Sequence, residues 1–329
     1  MAAPRVLITG ATGFVGSHVV DLLASRNFSL RALVRATSDT RQLVRHGAEL
    51  VEGRLEDAAA LRRAVADCDV VLHLAALTHA RTEAELVRAN AEGTRDLVEA
   101  AVEASSGPRL VVYLSSLAAA GPSRDGRPIG PHDEAAPLTA YGRSKLAGER
   151  ACLAVAERIG VTVARAPAVY GPCDKELLRV FRLARRGVLP LPAGPERLLQ
   201  LVHARDLAEA LVLAVGVPPA GVVHVADPQA WTWEQVLRMV ADAVGVPGRI
   251  VRVPQQAVHW GAAFAEWLSN VMGRSSLLNR DKARELLAPG WLCETGTARA
   301  ALGFEARTPL REGLRETAMW YRDNKWLRA

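Results

Sequence analysis

Tyr141 and Lys145 stand four residues apart in Tyr141-Gly142-Arg143-Ser144-Lys145. On a helix, positions i and i+4 share a face. A nearby ammonium lowers a phenol's pKa, which makes the pair a usable general acid/base near neutral pH. The string is common, and alone it describes a solvated helix face. Its weight comes from Ser115-Ser116, which end an apolar run upstream. The carboxyl ends of parallel strands are where such sheets bind ligands. A second constellation is Thr9-Gly10-Ala11-Thr12-Gly13-Phe14-Val15-Gly16. Glycines at 10 and 13 allow a tight turn with backbone close to a ligand, and Gly16 lets the next helix pack tightly. The helix N-terminus then faces a pyrophosphate with free N–H groups and a partial positive charge.

These residues need a sheet and helices to bring them together. Arg5 to Thr9, Leu30 to Val34, Leu50–Val51, Val70 to Leu74, Leu110 to Leu114 and Val161 to Ala164 read as strands. Helical segments alternate with them: one from Phe14, one over residues 57–66 capped by Asp57, one over 83–104 and one over 141–159. Near-continuous apolar strands between helices predict a buried parallel sheet, and right-handed crossovers make it an α/β doubly wound (Rossmann) fold. Past Pro167 the pattern breaks up, with a helix at 205–215 and a strand at 221–226 returning to the sheet. Helices are expected at 231–244, 255–272 and 310–322. The expected organisation is a dinucleotide-binding domain over 1–170, with 201–226 returning to it. A smaller, interleaved substrate-binding domain is expected over 171–200 and 227–329.

Composition narrows the function. The 329 residues are 50% hydrophobic and 23% charged, enough to bury a sizeable core and incompatible with global disorder. The four cysteines, Cys68, Cys152, Cys173 and Cys293, have no metal-ligand spacing, so no metal is expected, and their sparseness fits a reducing cytoplasm. Apolar runs are strand-length, so no membrane partner is expected. The net charge of +6 is spread among acids, which argues against nucleic acid.

The glycine turn, the Ser116/Tyr141/Lys145 set, Asn90 in Arg88-Ala89-Asn90-Ala91-Glu92-Gly93-Thr94, and Tyr170-Gly171-Pro172 with His203-Ala204-Arg205-Asp206 resemble the short-chain dehydrogenase/reductase superfamily. The branch is its extended one, the NAD-dependent epimerase/dehydratase family. The resemblance covers nearly the whole chain. It implies that Tyr141 exchanges a proton with an alcohol or ketone, that Ser116 donates a hydrogen bond to the same oxygen, and that Lys145 holds the nicotinamide ribose. Ser115 would be structural support and Asn90 would organise the lysine or a water, although a helix asparagine bonded to backbone is the plainer reading. Cofactor contacts would come from Gly10, Thr12, Gly13, Phe14, Val15 and Gly16, from Arg54 and Leu55, from Leu74, Ala75 and Ala76, and from Pro167, Ala168 and Val169. His73, His203 and Asp206 read as structural. A homodimer through the helices at 83–104 and 141–159 is also implied.

The second strand ends Leu33-Val34-Arg35 with no acid to hold a ribose 2′-hydroxyl, so Arg35 favours a 2′-phosphate and hence NADP over NAD. Leu117 and Ala118 stand where family dehydratases carry an Asp-Glu pair, and Leu199 stands where sugar-nucleotide members place a phosphate-binding arginine, with Arg197 a possible substitute. Thr78, His79, Leu189, Leu191 and Trp260 are the expected substrate contacts. The expected activity is an NAD(P)-dependent oxidoreductase acting on a small, apolar secondary alcohol or ketone. The alternatives are a nucleotide-sugar 4-epimerase that retains its cofactor and a non-catalytic NADP-sensing regulator, the latter opposed by the intact serine, tyrosine and lysine.

Overall fold

The computed structural model describes residues 3–272 and 279–327; positions 1–2, 273–278 and 328–329 of the expected domains lie outside the described residues. Seven strands form one sheet: β1 (Arg5–Thr9), β2 (Ser29–Val34), β3 (Glu49–Glu52), β4 (Val70–His73), β5 (Leu110–Ser116), β6 (Gly160–Ala166) and β7 (Gly221–His224). Their order is β7-β6-β5-β4-β1-β2-β3, and every neighbouring pair is parallel. The direction of winding reverses between β1 and β4. A crevice opens above their carboxyl ends at such a switch point, which is where ligands bind.

Strand side chains alternate between two apolar layers. Four helices supply much of the cover: α1 (Phe14–Ser25), α2 (Gly93–Glu103), α3 (Ala140–Leu153) and α4 (Ala204–Val215). Val6, Ile8 and Leu72 face Val19 and Leu23 of α1 and Leu207 and Leu211 of α4. Leu7, Val71 and Val111 face Leu97 and Val98 of α2 and Cys152 of α3. Burial on both faces explains why these strands read as unbroken apolar runs.

Two helices differ from the periodicity reading. The segment expected over 83–104 is a helix Glu83–Val87, a π-helical turn Arg88–Glu92 and then α2. The extra residue in that turn accompanies a fully buried Asn90. The helix expected to reach 159 stops at Leu153, because the chain must turn before β6 begins at Gly160. Tight turns closed by Leu153 O and Val155 O carry it there.

A second apolar cluster lies beyond the sheet. It joins the helix Leu178–Arg185, the strand Val188–Pro192, α5 (Trp233–Val244) and a C-terminal helix at Leu310–Asp323. Here the structure corrects two expected substrate contacts. Val188–Pro192 pairs with Arg249–Val253, and its alternation turns Leu189 and Leu191 inward onto the cluster of Phe181 and Val240. Leu189 is 1% exposed and Leu191 8%. Both are core residues. Leu189→Ala should therefore cost about 2–5 kcal/mol in urea unfolding while leaving dinucleotide affinity unchanged. A loss well under 1 kcal/mol would contradict the core placement.

Candidate active site

The glycine turn is shaped by close approach. Gly10 has φ +74, and a Cβ there would lie 2.6 Å from Ala75 N. A Cβ on Gly16 would lie 2.2 Å from Gly10 O. The turn is closed by Gly13 N–H donating to Gly10 O at 3.0 Å. Gly13 then caps α1 with no side-chain hydrogen bond, and no acid stands in the first turn. The end of α1 therefore presents unneutralised N–H groups and positive partial charge to whatever enters the crevice. A bare backbone cradle of this kind fits the pyrophosphate of a dinucleotide.

A cleft of about 1570 Å³ runs from this turn to the ends of β4, β5 and β6. Of the expected site residues it is lined by Gly10, Thr12, Gly13, Phe14, Val15, Gly16, Leu74, Ala76, Thr78, His79, Ser115, Ser116, Tyr141, Lys145, Pro167, Ala168 and Val169. Arg35 and Arg54 line a smaller neighbouring cavity of about 430 Å³, together with Thr37, Glu52, Glu56 and Asp57. Ala75 stands behind Gly10, Leu55 packs against Gly93, and Asn90 is buried. None of these three lines either cavity, and Leu189 and Leu191 do not either. Trp260 is 77% exposed and also lies outside the cleft.

Ser116 ends β5 and accepts from Ala118 N at 3.1 Å. Tyr141 sits in the first turn of α3, whose start is set by Thr139 capping Gly142 N at 3.1 Å. Lys145 Nζ donates to Leu114 O at 2.7 Å and lies 4.1 Å from the centre of the Tyr113 ring. The expectation that the ammonium would lower the phenol's pKa is corrected here. Burial raises the Tyr141 phenol well above its ordinary value, and a hydrogen bond with Ser116 opposes only part of that. Burial also lowers the Lys145 ammonium to about 7, against the supporting charge of Glu149. Desolvation thus favours the neutral form of both groups.

A continuous chain of hydrogen bonds ties the glycine turn to Tyr141. Ala75 N–H donates to Thr9 Oγ1 at 3.3 Å, and Thr9 Oγ1 lies 2.6 Å from His73 Nδ1. His73 Nε2 lies 2.9 Å from Thr94 Oγ1, whose hydroxyl donates to Asn90 O at 2.7 Å. Since that hydroxyl has one proton, His73 Nε2 must donate to it and Nδ1 must accept from Thr9. Burial and the Lys145 charge hold His73 at about 3, in keeping with a neutral ring. The Asn90 side chain bonds both backbone groups of Leu77 at 2.8 Å and donates to Ser144 Oγ at 2.9 Å. Ser144 in turn donates to Tyr141 O at 2.7 Å. Beneath the site, Ser115 Oγ donates to Glu149, which also takes two bonds from Arg165 at 2.9 and 2.7 Å. Asp206 binds Arg307 N and Thr308, and His203 packs edge-on to Tyr170, so both hold structure together.

The motif reading missed the far end of the cleft. Asp174, Glu176, Lys282 and Glu285 line it, with Trp233 and Trp291. His79 Nε2 meets Glu176 Oε1 at 3.0 Å, joining two walls, and Lys282 Nζ donates to Glu285 at 3.0 Å. Burial pushes the Asp174 carboxyl up to about 6. These residues come from segments far apart in the chain and form no motif.

Residues 6–226 match the NAD dependent epimerase/dehydratase family. A ceramide reductase of Caulobacter vibrioides (strain NA1000 / CB15N) is 34% identical over 325 residues, covering 98% of this chain and 96% of its own. A 4-hydroxy-2-methyl-3-oxo-4-farnesyl-3,4-dihydroquinoline-1-oxide ketoreductase of Stigmatella aurantiaca is 30% identical over 311 residues, covering 86% and 91%. Among solved structures, MoeE5 in complex with UDP-glucose and NAD superposes with a TM-score of 0.77 at 28% identity, covering 98% of this chain and 99% of that one.

Lys145 carries a pH dependence. It lines the same cleft as the glycine turn, and burial lowers its ammonium to about 7, so its positive charge is progressively lost as pH rises through that value. Dinucleotide affinity should therefore be highest below pH 7 and fall as pH rises through it. Calorimetric titration at pH 6 and pH 8.5 checks this, and equal affinities would contradict it.

Proposed function

This chain belongs to the NAD dependent epimerase/dehydratase family, and from that premise we propose that it reduces a ketone on an apolar molecule, with NADPH as the preferred cofactor. The observation that carries the reading is the Tyr141 phenol beside Ser116 and one helical turn from Lys145, in a cleft that the glycine turn also lines. Carbonyl reduction needs a proton donor at the oxygen, and a phenol kept neutral by burial is one.

Ser116 and Tyr141 would hold the ketone oxygen between two hydroxyls, and Tyr141 would give it its proton. Lys145 would compensate the charge left on the phenol and bind the nicotinamide ribose. Gly10, Gly13 and Gly16 with the start of α1 would hold the pyrophosphate, and Pro167, Ala168 and Val169 would back the nicotinamide. When bound, the reduced dinucleotide supplies the hydride that completes the alcohol. Arg35, with Thr37 beside it, would bind the 2′-phosphate. Residues 1–170 and 201–226 would form the cofactor unit, and 171–200 with 227–329 the substrate unit.

Three observations support an apolar, non-nucleotide substrate. Leu199 faces the cleft at the position where sugar-nucleotide members place arginine. Arg197 is 6% exposed and spends its guanidinium on Leu287 O and Pro195 O. Trp233 and Trp291 line the cleft, and the two relatives named above are a ceramide reductase and a ketoreductase of a farnesyl-bearing dihydroquinoline oxide. A 4-epimerase is the second reading, favoured by the likeness to MoeE5 with its UDP-glucose. A tightly retained cofactor that survives gel filtration would mark it. All four cysteines are free, which supports a reducing, cytoplasmic setting. We expect a homodimer through the outer faces of α2 and α3.

Two measurements test the reading. Tyr141→Phe should lower NADPH consumption with a panel of apolar ketones by about 10²–10⁴-fold, and unchanged turnover would overturn the mechanism. Arg35→Ala should cut the preference for NADPH over NADH by about 10–100-fold, the size of one lost charge-assisted contact. An unchanged ratio in steady-state kinetics would show that Arg35 does not read the phosphate.

A further inference from the structure

The helix α3 begins, as every helix does, with N–H groups that its own turns cannot use. Thr139 Oγ1 accepts from Gly142 N, and Thr139 O accepts from Arg143 N at 2.9 Å. Ala140 N–H donates instead to Asp281 Oδ2 at 2.7 Å, a residue 141 positions further along the chain. No acid stands in the first turn of α3 itself. Asp281 therefore supplies, from outside, the negative charge that the positive end of that helix favours. The bond falls on the residue just before Tyr141.

The carboxylate is itself held. Its other oxygen accepts from Arg284 Nη1 at 2.8 Å, one turn along the same helix, α6 (Arg280–Leu287). Asn279 caps α6 by accepting from Lys282 N at 2.8 Å, and Ala283 is fully buried. At its far end, Trp291 Nε1–H donates to Glu285 O at 3.0 Å and Arg197 Nε–H to Leu287 O at 3.3 Å. Ala140, Tyr141, Asp281, Lys282 and Glu285 all line the one cleft. Burial is the main reason the Tyr141 phenol stays neutral, and the Glu285 charge adds to it, as expected of a helix close to the hydroxyl.

Two holds thus bracket the Tyr141 backbone. The bonds that run from His73 end on Tyr141 O, and Asp281 takes the N–H of the residue before it. Thr139 belongs to the same segment as Tyr141 and moves with it. Asp281 belongs to another part of the chain and ties the turn to a wall of the cleft. A shift of about 1 Å at a reacting group can cost about 100-fold in rate.

We propose that Asp281 is a positioning residue, whose carboxylate fixes the first turn of α3 against α6 and so sets the Tyr141 hydroxyl beside Ser116. Its effect on turnover rests on the reductase reading; its hold on Ala140 does not.

The test compares Asp281→Ala with Asp281→Asn, which keeps an oxygen for Ala140 N–H. Asp281→Ala should lower kcat for reduction of a soluble ketone by NADPH about 10–100-fold, while dinucleotide affinity in calorimetry stays within about twofold. Asp281→Asn should recover most of that loss, to within about fivefold of the wild type. Amide hydrogen exchange gives a readout that needs no turnover: Ala140 N–H should exchange about tenfold or more faster in Asp281→Ala than in the wild type. Unchanged kcat or unchanged exchange in the alanine variant overturns the proposal. So does a parallel fall in kcat and dinucleotide affinity, or an asparagine variant no better than the alanine one, since either marks a general disturbance of the fold. If Asp281→Ala does not fold, the wild type decides: its Ala140 N–H should be protected about tenfold or more relative to a free amide, and lack of protection overturns the proposal. Failure of the wild type to reduce any ketone would sink the reductase reading and leave the exchange comparison to decide on the hold.

Discussion

The site depends on a neutral histidine that no ligand touches. His73 ends β4, and its two ring nitrogens must play opposite roles, accepting from Thr9 and donating to Thr94. That single tautomer joins the strand that leads into the glycine turn to the π-helical turn that carries Asn90. From there the chain of bonds continues through Ser144 to the backbone of Tyr141. In a buried setting each such bond is costly to leave unmade, so the chain fixes the distance between the pyrophosphate cradle and the phenol. A protonated His73 would have two donors and no acceptor for Thr9. Burial beside the Lys145 charge holds the ring neutral.

Close backbone approach supplies the second constraint. A Cβ on Gly142 would lie 2.3 Å from Ala118 O, and one on Gly148 would lie 2.4 Å from both Asn90 O and Tyr113 Oη. These two glycines let α3 lie directly on the end of β5 and on the π-helical turn, which puts Tyr141 against Ser116. Below them the Glu149–Arg165 pair spans α3 and β6 and holds Ser115, the cross-strand partner of Arg165. A buried ion pair of this kind adds little net stability, but it penalises any shift of one element against the other, since either charge left alone would be far more costly.

The sheet and its glycine turn were legible in the sequence because their demands are local. A glycine triplet between a strand and a helix, and a tyrosine and lysine one helical turn apart, state backbone geometry within a few residues. Spacing says which face two side chains share but nothing about how deeply they are buried, which is why the direction of the Tyr141 shift could not be read from it. The chain beyond Pro167 was less legible because its elements meet only in three dimensions. Leu189 and Leu191 are as apolar as cleft residues would be, and only their pairing with Arg249–Val253 shows that they face inward. Trp260 stands in an apolar stretch with Phe264 and Trp267, which reads as a pocket wall or as core, yet the fold leaves it exposed. Asp174, Glu176, Lys282 and Glu285 belong to separate segments that converge without a motif.

The burial that holds the Tyr141 phenol neutral also limits the proton transfer proposed for it. A phenol held neutral by desolvation can give up its proton only if the resulting phenolate is compensated in the same low-dielectric space. Lys145 is the near cation on the same face of α3, and its own ammonium is weakened by the same burial. Burial disfavours the charged form of each group. Glu149, one turn further along α3, tilts the balance by supporting the ammonium, and Arg165 keeps Glu149 in place. Tyr141, Lys145, Glu149 and Arg165 thus form a row along α3 and β6, of which only the first two line the cleft.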